Sequence, residues 1–329
     1  MTWDGKNVLV TGAGGFIGSH LTEMLVKKGA NVRAFLRYNS KNKAGFLDDL
    51  PDAVKENIEF FFGEIRELET VQRALKNIDV VFNLAALIGI PYSYLHPQEV
   101  FDTNTKGILN ILSAARNKSI EKIVHTSTSE VYGSALYIPI DEKHPLQPQS
   151  PYSASKIAAD AVAMSFYYSF HTPVAIIRPF NTYGPRQSER AVIPTIITQA
   201  ITKKSVKLGN TNTTRDFTFV EDTAEGFIKV AESDKSVGEI INIGSGYEIS
   251  ISDLCKKIAG LAGKDIVIET DETRVRPKDS EVSRLLADNT RAKDLAGWEP
   301  KIGLEEGIKK TIEYIRENMH LYNPDRYIV

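Results

Sequence analysis

Short apolar runs recur through the first half of the chain, and stretches with apolar residues every three or four positions separate them. Asn7–Thr11 is the first such run and reads as a buried strand. A glycine-rich turn follows, and Ser19 to Gly29 then shows helical spacing at Leu21, Met24 and Leu25, with Gly29 as the stop. Strands are predicted at Asn31–Leu36, Ile58–Phe62, Asp79–Asn83, Lys122–Thr126 and Pro173–Arg178. Between them, Leu68–Leu75, Pro97–Lys118 and Tyr152–Phe170 carry the helical pattern. Strands alternating with helices predict an α/β fold with a parallel, doubly wound sheet of the Rossmann type. Ligands of such sheets bind beyond the carboxyl ends of the strands.

After residue 180 the alternation weakens and turn residues cluster at Asn181–Arg186, Gly209–Thr214 and Gly244–Tyr247. Asp271–Ser283 reads as a polar loop. The pattern predicts a dinucleotide-binding domain over 1–180 and a smaller C-terminal substrate-binding domain over 181–329. A segment near 217–245, with the apolar run Glu239–Gly244, is expected to return to the main sheet.

Composition narrows the picture. The 329 residues carry a formal net charge of −2, which gives no reason to expect nucleic acid or an anionic membrane as partner. One cysteine, Cys255, excludes an intrachain disulfide and a multi-cysteine metal site. The six histidines are scattered without ligand spacing, so no metal is expected. The start has no secretory pattern and no apolar stretch nears the ~20 residues of a membrane span, so cytoplasm is the default location.

The glycines Gly12, Gly15 and Gly18, with Phe16 and Ile17 between them, follow a strand and open a helix. That context points to a dinucleotide pyrophosphate held on helix N-terminal amides. The second strand ends in Arg37, followed by Asn39 and Ser40, where an acidic residue would hold an unmodified ribose. A guanidinium there suits a 2′-phosphate, so NADP is favoured over NAD. Glu64 and Ile65 after the third strand, and Leu84, Ala85 and Ala86 after the fourth, are candidates to flank the cofactor.

The candidate chemistry lies between His125 and Lys156. Thr128 and Ser129 bring hydroxyls and Glu130 a carboxylate, and Tyr152 stands four residues before Lys156. On a helix that spacing puts Lys156 on the face of Tyr152, where an ammonium would lower the phenol pKa and make a general base.

Taken together, several motifs resemble the extended short-chain dehydrogenase/reductase superfamily, in its nucleotide-sugar epimerase/dehydratase branch. They are Val10–Ser19, Asn83–Ala86, Thr126–Gly133, the Tyr152/Lys156 pair, Arg178–Arg186 and Arg215–Asp222, and the likeness spans essentially the whole chain. The resemblance implies a tightly bound, recycled nicotinamide cofactor and a nucleotide-sugar substrate. It implies that Tyr152 takes the sugar 4-hydroxyl proton, that Lys156 holds the nicotinamide ribose and that Thr128 bonds the 4-oxygen. Asn181, Arg215 and Arg276 resemble ligands of the diphosphate, Val192 would lie near the base, and Tyr92 belongs to the substrate side. A homodimer through helices near 100–117 and 152–170 is also implied.

Glu130 bears on the subclass. A 4-epimerase needs no carboxylate there, whereas a 4,6-dehydratase needs a base for the C5 proton and an acid for the departing C6 hydroxyl. Family dehydratases read Asp-Glu at this pair, and this chain reads Ser129-Glu130. Thr128–Gly133 is also similar to UDP-glucuronate decarboxylases. Ala85–Pro97 and Arg276–Arg284 are more similar to dehydratases of N-acetylhexosamine nucleotides, which serve bacterial legionaminic and pseudaminic acid pathways. The expectation is a 4,6-dehydratase of UDP-N-acetylglucosamine. Alternatives are a 5,6-ene product, a 4-epimerase, a decarboxylase, and a non-catalytic dinucleotide sensor, against which the intact Tyr152 and Lys156 argue.

Overall fold

The computed structural model describes residues 1–324. Its main sheet has seven strands: β1 (Asn7–Thr11), β2 (Asn31–Arg37), β3 (Ile58–Gly63), β4 (Val80–Asn83), β5 (Lys122–Thr126), β6 (Val174–Pro179) and a strand at Ile240–Ile243. Their order is β3-β2-β1-β4-β5-β6 followed by Ile240–Ile243, and every pairing is parallel. The order reverses between β1 and β4, which opens a crevice at their carboxyl ends.

The inner strands are largely apolar because both faces are covered, while the edge strand β3 leaves Glu59 and Phe60 exposed. Val8 and Val10 of β1 face one core with Phe82, Ile177, Phe227 and Trp298, while Leu9 faces the other with Val81, Ile111 and Ile176. Helices Phe16–Lys27 and Val220–Glu232 cover the first face, and helices Gly107–Ala115 and Pro151–Phe170 the second.

Directly after β6 the chain leaves the sheet. The strands β7 (Asn181–Tyr183), β8 (Ser205–Leu208) and β9 (Thr214–Phe219) precede the Ile240–Ile243 strand, β10, and β11 (Glu248–Ser250) and β12 (Val267–Thr270) follow it. They form a three-stranded sheet, β11-β9-β7, and a two-stranded one, β12-β8. Helices Val192–Thr202, Ile251–Ala262 and Leu304–Glu317 close a third core around Ile197, Phe219, Leu254 and Ile312. Phe16 and Ile17, which open the first helix, pack against this third core.

Two sequence expectations need adjustment. The first helix starts at Phe16 rather than Ser19, so the last glycine of the turn lies inside it. The pattern over Pro97–Lys118 is interrupted by a wide π turn at Asp102–Lys106. No helix of the described residues is long and apolar enough to cross a membrane.

Candidate active site

A cleft of about 460 Å3 lies at the β1/β4 crevice. Gly12, Gly15, Phe16, Ile17 and Gly18 form one wall, Arg37, Glu64 and Ile65 one end, Leu84, Ala85 and Ala86 the floor, and Tyr152 and Lys156 the far end. Gly12 sits at φ +68°, and a Cβ there would lie 3.0 Å from the Ala85 amide nitrogen. At Gly18 a Cβ would come within 2.2 Å of the Gly12 carbonyl oxygen. Any side chain at either position would fill the turn. The helix Phe16–Lys27 has no side-chain cap and no acidic residue in its first turn. Its N-terminal amides are therefore available to an anion, and the cradle fits a dinucleotide pyrophosphate.

Asn39 and Ser40 do not line the cleft, contrary to expectation. The Asn39 amide is spent on its own loop, donating to Lys43 O at 2.8 Å and accepting from the Lys41 and Lys43 amides, and Ser40 faces solvent. That turn instead brings Lys43 and Gly45 to the wall, where Phe46 N donates to Gly14 O at 3.1 Å. The signal for Lys43 was a basic residue closing the polar tract after β2; nothing in periodicity marked it. Arg37 is exposed, with Glu99 4.0 Å away. Glu64 is held below the usual carboxylate range chiefly by its hydrogen bond from Arg66, at 2.8 Å.

Asn104, in the π turn, was also not foreseen. Its amide donates to Leu87 O at 3.0 Å and to Ser155 Oγ at 2.9 Å, and its oxygen accepts from Leu87 N at 2.8 Å. It ties the loop after β4 to the helix of Tyr152. The extra residue of a π turn re-aims such a side chain, and these turns recur at functional sites.

The Tyr152 helix begins with a capping box: Ser153 N donates to Ser150 Oγ at 3.1 Å and Ser150 N to Ser153 Oγ at 3.0 Å, with Pro151 at the first position. This fixes Tyr152 in the first turn and Lys156 one turn later, both buried. Lys156 Nζ donates to Thr126 O at 2.5 Å, at the end of β5. Burial pulls the ammonium down to about 8, against the attraction of Asp160. Tyr152 is pushed well above the ordinary phenol range, by burial first and by the charges of Glu130 and Asp160, while a hydrogen bond with Thr128 opposes. This corrects the expectation that Lys156 lowers the Tyr152 pKa. Desolvation outweighs the nearby ammonium, whose hydrogen bond goes to the backbone.

Thr128 also caps the turn Ser129–Tyr132, its Oγ1 accepting from Glu130 N at 3.2 Å. Ser129 is buried and Glu130 half-buried. Glu130 lies close enough for its charge to act on both Tyr152 and Arg215. Arg215 is buried, lowered by desolvation, and shares Glu281 with Arg276 at 3.3 and 3.9 Å. Arg276 Nη1 is buried with no hydrogen-bond partner among the described residues. Glu281 and Glu130 together balance the two guanidiniums, and Arg276 Nη1 is the donor left to meet a further anion. Asp216 fixes the strand beside Arg215 by accepting from the Ser245, Gly246 and Ala287 amides.

The other residues singled out from the sequence lie around this region. Asn181 Nδ2 reaches Asp216 O at 3.4 Å, and Val192 opens the helix Val192–Thr202. Tyr92 packs with the Tyr152 cluster and gives its hydroxyl to Glu99 at 2.5 Å. Tyr94 OH meets Ser280 Oγ at 2.6 Å, joining the loop after β4 to the segment that carries Arg276. Among the described residues no group of three or more His, Cys, Asp or Glu could hold a metal.

Comparison with known proteins agrees with this geometry. The model of the GDP-mannose 4,6 dehydratase family matches residues 9–311. The human dTDP-D-glucose 4,6-dehydratase is 34% identical over 322 residues, covering 96% of this chain and 91% of that protein. The UDP-N-acetylglucosamine 4-epimerase from Methanobrevibacter ruminantium M1, solved with UDP-N-acetylmuramic acid, superposes with a TM-score of 0.87 at 30% identity, covering 96% of this chain and 100% of that one. The dTDP-glucose 4,6-dehydratase from Bacillus anthracis str. Ames, solved with NAD, superposes with a TM-score of 0.83 at 30% identity, covering 96% and 98%. The chain belongs to the GDP-mannose 4,6 dehydratase family, within the NAD-dependent epimerase/dehydratase branch of the extended short-chain dehydrogenases/reductases.

Proposed function

We propose that the chain is a nucleotide-sugar 4,6-dehydratase acting on UDP-N-acetylglucosamine. The observation that carries this reading is Glu130, a carboxylate held beside Tyr152 by the Thr128-capped turn. A 4-epimerase has no use for a base at that place, whereas elimination across C5 and C6 requires one. The choice of a UDP-N-acetylhexosamine rests on the likeness of Ala85–Pro97 and Arg276–Arg284 to dehydratases of such nucleotides, and the epimerase relative named above acts on UDP-N-acetylglucosamine.

Residues divide the work as follows. Gly12, Gly15, Gly18 and the helix amides hold the pyrophosphate of the cofactor, and Lys156 its nicotinamide ribose. The oxidised nicotinamide, when bound, supplies the acceptor for hydrogen from C4 and a positive charge beside Tyr152. Tyr152 takes the proton of the sugar 4-hydroxyl, with Thr128 bonded to the same oxygen. Glu130 then takes the C5 proton, which the 4-keto group has acidified; the freed electron pair forms the C5–C6 double bond as the C6 hydroxyl leaves and departs as water, and the hydride removed from C4 would return to C6. Arg215, Arg276 and Asn181 hold the diphosphate, with Val192 toward the base and Tyr92 toward the sugar. The chain divides between a cofactor half, 1–180 with the returning segment, and a sugar-nucleotide half, 181–329.

Arg37 and Lys43 at the ribose end favour a 2′-phosphate and hence NADP, although the Bacillus anthracis relative was solved with NAD. Ser129 favours a second outcome. With a hydroxyl where family dehydratases have an acid, reduction at C4 instead of C6 would leave a 5,6-ene sugar. Exposed Phe101, Leu109 and Tyr168 on the helices near 97–115 and 151–170 fit a homodimer, which sedimentation would test. The function is tested by mass spectrometry and NMR of reactions with a panel of nucleotide sugars. Loss of one water from UDP-N-acetylglucosamine supports it, unchanged mass with inversion at C4 replaces it by an epimerase, and loss of carbon dioxide from UDP-glucuronate replaces it by a decarboxylase.

A further inference from the structure

Beneath the cleft floor runs a chain of buried polar side chains that neither the cofactor nor the sugar explains. Thr11 Oγ1 accepts the Leu84 and Ala85 amides at 3.1 and 3.0 Å and donates to Asn83 Oδ1 at 2.8 Å. Asn83 Nδ2 stands 3.1 Å from His125 Nδ1. An amide nitrogen only donates, and Thr11 fixes which end of Asn83 is oxygen. His125 Nδ1 is therefore the acceptor, and the proton of the neutral ring sits on Nε2. That Nε2 faces Asp160 Oδ1 at 3.8 Å, and neither atom has a hydrogen-bond partner among the described residues.

The other Asp160 oxygen is crowded. Oδ2 accepts from Ser127 Oγ at 2.8 Å and from Arg178 Nε and Nη2 at 3.1 and 2.9 Å. Arg178 Nη1 continues to Tyr132 OH at 3.0 Å, which donates to Asn242 Oδ1 at 2.7 Å. All these side chains are buried. A buried ion pair is weak evidence of stabilisation, because apolar residues of the same volume often fold as well or better. Its position is more informative. Asp160 lies one helical turn beyond Lys156 and two beyond Tyr152, and its charge acts on both. Ser127, which it holds, is the residue before Thr128.

We propose that Asp160 is a positioning residue for the acid-base pair: with Arg178, it sets the local charge in which Tyr152 gains and loses its proton beside Lys156, and through Ser127 it anchors the end of β5 that carries Thr128. The proposal rests on the reading of Tyr152 and Lys156 given above. The groups that face Lys156 are few. Its own helix contributes Asp160, and β5 contributes His125 and the Thr126 carbonyl; Tyr152 is faced by Thr128, Glu130 and Asp160, and Arg178 reaches the pair through Asp160. The helical segment 97–115 contributes neutral Asn104 and Thr105, both bonded to Ser155. His125 is kept neutral by burial and by Lys156, so it turns an N–H dipole toward Asp160 and adds no second cation.

The test is the pH profile of cofactor reduction in a single turnover with UDP-N-acetylglucosamine. Asp160→Asn leaves Arg178 uncompensated and should move both limbs toward acid by about 1 pH unit, the size of one charge acting in an interior of effective dielectric about 20. Arg178→Gln leaves Asp160 uncompensated and should move them the other way. The double variant should return them close to wild type. Rates that fall equally at all pH, with limbs unmoved in variants that still bind cofactor, would overturn the proposal. A second measurement needs no charge variant: 15N NMR of histidine-labelled wild type, with His125 assigned by His125→Gln. An Nε2–H tautomer that does not titrate between about pH 5 and 8 is expected, and an Nδ1–H tautomer or titration in that window overturns the chain. Because the NMR result needs no substrate, it stands even if no nucleotide sugar reduces the cofactor, the outcome that would remove the functional reading itself.

Discussion

Glu130→Gln separates the two halves of the proposed reaction. The amide has the volume of the carboxylate and keeps the backbone bond from Glu130 N to Thr128, but it cannot accept the C5 proton. A positioned general base contributes about 10²–10⁴-fold, equivalent to about 3–5 kcal/mol of barrier. Elimination should slow by that factor. Oxidation at C4 should not. The Glu130 charge raises the Tyr152 pKa, so its removal makes the phenol easier to ionise and shifts the acid limb of the oxidation step to lower pH. The variant should accumulate reduced cofactor on mixing with substrate, seen by near-ultraviolet absorbance, while exchange of the C5 hydrogen with deuterated solvent, followed by NMR, nearly stops. Loss of both steps together would refute the division of roles, as would wild-type elimination.

Further expectations follow from single contacts. Gly18→Ala places a methyl 2.2 Å from the Gly12 carbonyl and should weaken cofactor binding about 10- to 100-fold by titration, the range of a small overpacking strain. Arg276→Gln should raise KM about tenfold with kcat little changed, because its contact is made equally in ground and transition states. Arg37→Gln should reduce any preference for NADP over NAD by about tenfold, the loss of one charge-assisted bond. Lys156→Met should abolish turnover yet stabilise the fold. The Lys156 pKa falls from 10.5 to about 8 in the folded chain, so at neutral pH the buried ammonium costs about 3 kcal/mol, partly offset by its bond to Thr126 O. The folded state binds fewer protons than the unfolded one between pH 8 and 10.5, so this cost is complete below about 8 and relieved as pH rises. Denaturant melts of wild type should gain stability over that interval relative to the methionine variant, and equal slopes would count against a buried charged lysine.

The main sheet was legible because its inner strands are buried on both faces and carry short apolar cores, as at Val8–Val10 and Ile123–Val124. The glycine turn and the Tyr152/Lys156 spacing were legible because their geometry is local: one turn, one helix. What escaped depends on side-chain contacts that periodicity does not mark, most of them distant in sequence. Asn104 matters only because a π turn aims it at Leu87 and Ser155. Lys43 reaches the cleft only because Asn39 folds its own loop. Asp160, His125 and Arg178 come from three elements and meet only in the packed core. The expected lowering of the Tyr152 pKa failed for the same reason, since spacing shows which residues share a face but not how much water they have lost.

The central claim is that Glu130 adds elimination to a reversible oxidation at C4. The most direct measurement is the product formed from UDP-N-acetylglucosamine in deuterated water, read by mass spectrometry and NMR. The account predicts a product that has lost one water, as a 4-keto-6-deoxy sugar with solvent deuterium at C5 or a 5,6-ene with no hydrogen left there. An unchanged sugar mass, inversion at C4 and full retention of the C5 hydrogen would contradict it.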